Sequence, residues 1–98
     1  MHLREFQSRV SAIYGARDRE RGQDGTFRWL VEEVGELARA LRDGSPESLR
    51  EEVSDVLAWT TSVATLCGVD IEQAAARYAH ECPKCQQLPC ACARAPSA

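Results

Sequence analysis

Ninety-eight residues with 44 % hydrophobic content and a formal charge of -3 allow one small domain and leave no room for a second core. Eleven of the twelve basic residues are Arg, the other is Lys84, and acids are interspersed among them, which disfavours a nucleic-acid polymer as partner. The opening Met1-His2-Leu3-Arg4-Glu5 has no apolar leader core and no apolar run approaches the roughly 20 residues that cross a bilayer, so no membrane is involved and the expected location is the cytoplasm.

Leu3, Phe6, Val10, Ile13 and Tyr14 share one helical face, which predicts a first helix from about Leu3 to Arg19 or Arg21. Gly22 and Gly25 end it, with Gly22-Gln23-Asp24-Gly25 as a turn and Asp24 or Thr26 as the next cap. A second helix follows to about Leu41, with Phe27, Leu30, Val31, Val34, Leu37, Ala38 and Leu41 in the cleanest apolar stripe of the chain. Asp43-Gly44 stops it. Ser45 as N-cap, Pro46 at the first helical position and Glu47 at the positive dipole end start a third helix. Its stripe runs through Leu49, Val53, Val56, Leu57, Thr60, Val63, Ala64 and Cys67, with Gly68 just beyond its end. Cys67 on that stripe reads as a buried small hydrophobe. Asp70 and Gln73 form a capping box for a fourth helix, about Ile71 to His80. No segment alternates with period two. The expected fold is all-α, an antiparallel helical hairpin bundle of about four helices with a short cysteine-rich metal-binding tail. Residues 1–81 form the helical domain, 82–92 a cysteine knuckle, and 93–98 a disordered tail.

Two carboxylate pairs stand out. Glu33 and Glu36 are spaced i, i+3 on the second helix, and Glu52 and Asp55 are spaced i, i+3 on the third, so each pair points from one side of its helix. A connection of about four residues makes the two helices an antiparallel hairpin. Reflection about Asp43-Gly44 then pairs Glu36 with Glu52, Glu33 with Asp55, and Trp29 with Trp59. A single glutamate on a helix is ordinarily a solvated residue. Four mirrored carboxylates within a few Å repel one another unless a divalent cation sits among them, and hard oxygen donors suit Mg²⁺ or Mn²⁺.

Arg28-Trp29-Leu30-Val31-Glu32-Glu33-Val34-Gly35-Glu36-Leu37-Ala38, followed by Glu51-Glu52-Val53-Ser54-Asp55-Val56-Leu57, resembles the MazG-like nucleotide pyrophosphohydrolases, whose pattern is EExxE and then ExxD. The likeness covers about the first eighty residues. It implies that Glu33, Glu36, Glu52 and Asp55 hold Mg²⁺, and that a nucleoside triphosphate is cleaved between its α and β phosphates to a monophosphate and pyrophosphate. It also implies a homo-oligomer, dimer or tetramer. Broad apolar stripes on so short a chain agree with that.

The remaining candidates each carry two readings. Glu32 or Glu51 either orients the attacking water or is a solvated acid, since each points about 100° away from its neighbouring ligand. Arg17, Arg19 and Arg21 either clamp phosphates or form a solvated charge run with Asp18 and Glu20. Trp29 and Trp59 either flank the nucleobase or pack. Cys82, Cys85, Cys90 and Cys92, in the pattern C-x₂-C-x₄-C-x-C, suit structural zinc, with disulfide use or no ligand as the alternatives. Two rival functions stand beside the main one: a phosphoribosyl-ATP pyrophosphohydrolase of the same architecture, and a non-enzymatic zinc-knuckle module that binds a protein partner.

Overall fold

The computed structural model describes residues 1–93. Those residues are helical in the order α1 (Leu3–Asp43), α2 (Pro46–Leu66) and α3 (Ile71–Ala75), with a 3₁₀ turn at Ala76–Tyr78 and an irregular cysteine loop after it. The all-α expectation is met, but with three helices where the sequence predicts about four. The expected disordered end lies, from residue 94 onward, outside the described residues.

The first two predicted helices are one run of 41 residues, broken only at Gly22. There φ is 81° and ψ 175°, a conformation essentially open only to glycine. The anticipated four-residue turn is therefore a single residue. Gln23, Asp24 and Gly25 already belong to the second arm, where the Gln23 amide donates to the carbonyl of Leu66 and the side chain of Thr26 is fully buried.

Ser45 caps α2 as the sequence predicts, its hydroxyl accepting from the Ser48 N–H, with Pro46 at the start of the helix. At the other end Gly68, with φ 73°, closes a Schellman motif: the Val69 N–H donates to the Ala64 carbonyl and the Gly68 N–H to that of Thr65. Cys67 is the C-cap, and this places it on the surface and not in the core the stripe suggested. Asp70 caps α3 through the Glu72 and Gln73 N–H groups. None of the residues of α3 is buried, and the helix tightens into the 3₁₀ turn after Ala75 well before the expected His80. A helix without a packed face has little to hold its last turns.

α1 folds back on α2. Its first arm (3–21) lies against the C-terminal half of α2, and its second arm (23–43) runs antiparallel to the whole of it. Gln7 ties three elements together: its amide donates to Thr65 Oγ1 (3.0 Å) and the Val69 carbonyl (2.8 Å) and accepts from the Ile71 N–H (2.9 Å). Arg4 adds ion pairs to Asp70 and Glu72. The interior is thin. Val10 and Ala40 are the buried apolar side chains among the described residues, while Asp18, Thr26, Thr61 and Ser62 are the buried polar ones. Small residues at these points let the helices approach closely. The stripe of the second arm is consequently split: Leu30 and Leu37 are half-buried, whereas Phe27, Val31, Val34 and Leu41 are exposed, as are Val53 and Leu57 of α2. No helix among the described residues is long and apolar enough to cross a membrane.

Candidate metal and nucleotide site

The mirror about Asp43-Gly44 brings the two indoles together and three of the four carboxylates. Trp29 and Trp59 stack with ring centroids 6.0 Å apart and planes 16° from parallel. One turn closer to the hairpin, carboxylate oxygens of Glu33, Glu52 and Asp55 lie within 4.8 Å of one another. Glu36 and Glu52 line the next depression with Ala40 and Ser48, and there one Glu36 oxygen is 3.6 Å from the Arg39 guanidinium. Three of the four carboxylates singled out by spacing thus form one cluster, and Glu36 stands beside it.

That cluster is electrostatically unfinished. Desolvation lifts the Glu33 carboxyl above its ordinary 4.5, and the negative charges of Asp55, Glu52, Glu36 and Glu32 add to the shift in that order. Glu52 Oε2 is buried with no hydrogen-bond partner among the described residues. A buried carboxylate oxygen without a partner costs free energy unless a cation or proton shares it. Three oxygen donors of this kind fit a hard divalent cation. Glu32 and Glu51, each next to a member of the cluster in sequence, are exposed and outside it.

Arg21 is committed to the fold. Its Nη1 is 3.0 Å from Asp18 Oδ1 and 3.4 Å from Thr26 Oγ1, and its guanidinium sits 4.9 Å from the Trp59 ring centroid. Arg17 and Arg19 are exposed on the same arm. Asp18 is the residue the sequence reading missed. It is 4 % exposed, not part of a solvated run, and with Ser62 it lines two adjoining cavities beside Trp59. Val10, Tyr14 and Asp18 recur at i, i+4, i+8, but Tyr14 is itself exposed, so that spacing alone does not mark Asp18 as inward.

The second cluster is the cysteine loop. The Cys82 N–H donates to the Gln87 carbonyl and the Gln86 N–H to the Cys82 carbonyl, with Gln86 at φ 58° closing the knuckle. Sγ atoms of Cys82, Cys85, Cys90 and Cys92 all fall within 4.8 Å of one another, with Cys82 to Cys92 at 3.7 Å and Cys85 to Cys90 at 4.0 Å. All five cysteines are free thiols. A tetrahedral thiolate site with metal–sulfur bonds of about 2.3 Å has edges of about 3.8 Å. The backbone N–H groups of Cys85 and Lys84 hold the Cys82 thiol down at about 6, and that of Ala91 lowers Cys85, while bonds from Cys90 and its neighbours push Cys92 up to about 12. Four sulfurs this close cannot all ionise without a cation among them.

Comparison with known proteins identifies the family. Residues 21–85 match the MazG nucleotide pyrophosphohydrolase domain, a span that contains the acidic cluster, both indoles and the first two cysteines of the knuckle. Over 70 residues the chain is 37 % identical to a dATP/dGTP diphosphohydrolase of Cyanophage S-2L, covering 71 % of this chain and 63 % of that relative. The chain belongs to the MazG nucleotide pyrophosphohydrolase family.

Proposed function

We propose that the protein is a Mg²⁺- or Mn²⁺-dependent nucleoside triphosphate pyrophosphohydrolase that releases a nucleoside monophosphate and pyrophosphate. The observation that carries the reading is the convergence of Glu33, Glu52 and Asp55 on one point, with Glu52 Oε2 buried and unpaired. The name of the phage relative, which specifies dATP and dGTP, supports a nucleoside triphosphate as substrate.

In this reading Glu33, Glu52 and Asp55 hold the cation, with Glu36 as the fourth ligand. When bound, the cation neutralises charge on the phosphate oxygens and acidifies a water molecule. The chain itself supplies position. Two helices packed along their length fix the carboxylates, Trp29 and Trp59 offer an aromatic surface one turn from them, and exposed Arg17 is available to the outer phosphates. Arg21 acts through Asp18 and the Trp59 face, holding the indole pair in place. Glu32, whose charge already reaches Glu33, orients the attacking water. The cysteine knuckle is a closed structural zinc site, supported by its tetrahedral spacing. A homo-oligomer, dimer or tetramer, covers the exposed Phe27, Val31, Val34 and Leu41 face, and sedimentation as a monomer would count against it.

The test is incubation of the purified protein with Mg²⁺ or Mn²⁺ and a panel of ribo- and deoxyribonucleoside triphosphates, resolving monophosphate plus pyrophosphate from diphosphate plus phosphate. The first pair of products supports the reading, and the second pair, or no turnover, contradicts it. Phosphoribosyl-ATP belongs in the same panel because it is the rival substrate for an acidic helical site.

A further inference from the structure

Glu36 is the one of the four mirrored carboxylates that stands outside the cluster, and it has a partner there. One of its oxygens lies 3.6 Å from Nη1 of Arg39, about one helical turn further along α1. Both side chains line a depression of about 260 Å³ at the hairpin end, together with Ala40, Asp43, Ser48 and Glu52. Arg39 is the basic residue of that lining. Asp43 is taken by Arg42 at 3.0 Å, and the buried Oε2 without a partner belongs to Glu52.

Two forces keep Glu36 on this side of the cluster. The Arg39 guanidinium attracts it, and the carboxylates of Glu33, Glu52 and Asp55 repel it; its charge is among those that lift the Glu33 carboxyl. The attraction is weak. At 3.6 Å the contact is longer than a hydrogen bond, and the side chains of Arg39 and Glu36 are 67 % and 38 % exposed, so water screens them and leaves both free to turn. Once the cluster holds a divalent cation, the repulsion changes sign and Glu36 exchanges a singly charged partner for a doubly charged one. Arg39 is then a guanidinium without its carboxylate on the rim of the site, and its planar fork suits phosphate oxygens.

Building on the cation and triphosphate reading above, we infer that Glu36 and Arg39 are an exchange pair: Glu36 passes from Arg39 to the cation, and Arg39 passes from Glu36 to the phosphate chain of the substrate. Arg39 is thus a positioning residue for the metal ligand and a binding residue for the nucleotide. Either ligand alone must break the pair, whereas both together break it once, so cation and polyphosphate each strengthen the binding of the other.

The test reads two affinities that move in opposite directions. Mn²⁺ alone is titrated into wild type, Arg39→Gln, Glu36→Gln and the double variant, with free Mn²⁺ followed by its paramagnetic resonance and each protein verified as folded by its thermal melt. Arg39→Gln should bind Mn²⁺ about two- to fivefold more tightly than wild type, the scale of an exposed ion pair. The same substitution should have no effect on Mn²⁺ in the Glu36→Gln background. At saturating Mn²⁺, KM for the nucleoside triphosphate turned over best in the panel above should rise about tenfold in Arg39→Gln, the scale of a hydrogen bond between charged groups, with kcat changed little. Arg39→Lys should recover part of both effects.

Unchanged or looser Mn²⁺ binding by Arg39→Gln would overturn the exchange. Equal tightening with and without the Glu36 carboxylate would also overturn it, since that is the signature of a general charge effect, and so would an unchanged KM. If wild type binds Mn²⁺ but hydrolyses nothing, the enzymatic reading fails and the exchange does not. It is then decided by the Mn²⁺ titrations and by binding of dATP in the presence of Mn²⁺, read through tryptophan fluorescence, which Arg39→Gln should weaken. Wild type that binds no Mn²⁺ would overturn the metal reading and the exchange together.

Discussion

Trp29 and Trp59 stack across the hairpin with ring centroids 6.0 Å apart, and they are the layer next to the carboxylates of Glu33, Glu52 and Asp55. An offset-stacked pair contributes about 0.5–1.5 kcal/mol beyond the area it buries. A double-mutant cycle on Trp29→Ala and Trp59→Ala should therefore return a coupling of about 1 kcal/mol in urea unfolding. Strict additivity would mean that the indoles are neighbours without interaction, leaving the acidic layer to be set by the turn alone.

The mirrored layers were legible because an αα-hairpin with a short connection is a ruler. Once Ser45, Pro46 and Gly44 fix the turn, residues equidistant from it must meet, and Glu33, Asp55 and the indoles do. Asp18 was not legible in the same way. Three arginines within three residues of it, Arg17, Arg19 and Arg21, suggest a solvated run, and only tertiary contact with α2 shows that one face of that run points inward. The thin core was hidden for a related reason. An apolar stripe states that a face will be covered but not by what, so Phe27 and Val34 look the same in sequence as Leu30 and Leu37.

Gly22 breaks α1 with φ 81° and ψ 175°, and a Cβ built there meets nothing within 4 Å. Substitution is thus opposed by backbone conformation alone. Gly22→Ala should cost about 1–3 kcal/mol, a loss of at least about 5 °C in Tm for a chain of this size. An unchanged Tm would indicate that the two arms tolerate a continuous helix.

Acid should loosen α3 before it touches the hairpin. The Gln73 N–H, then the Glu72 N–H and Arg4, hold the Asp70 carboxyl below its ordinary 3.8 in the folded protein. A carboxyl lowered on folding stabilises the fold above its unfolded pKa and loses that contribution as pH falls through the folded value. Amide exchange at Gln73 and Ala74 should accordingly rise below roughly pH 4, and Asp70→Asn should remove this pH dependence. A transition at those amides that survives the substitution would assign it to another group.

Elemental analysis of protein purified under reducing, chelator-free conditions should find one zinc per chain. Its removal should open the loop from Cys82 to Cys92 while α1 and α2 melt unchanged, because the knuckle makes its backbone bonds within itself. Absence of zinc would reject the structural site.

The most direct test is Mg²⁺-dependent turnover of a nucleoside triphosphate by wild type and by Asp55→Asn, each verified as folded by its thermal melt. Asp55 is exposed at the edge of the cluster and makes no described hydrogen bond, so the amide should cost no stability and should relieve part of the repulsion on Glu33. The account expects turnover to fall by about 10²-fold or more, beyond what losing an outer-shell partner of a metal costs, together with loss of the rise in Tm that Mg²⁺ gives the wild type. A folded Asp55→Asn protein with undiminished turnover would contradict the assignment of these carboxylates as the catalytic metal site.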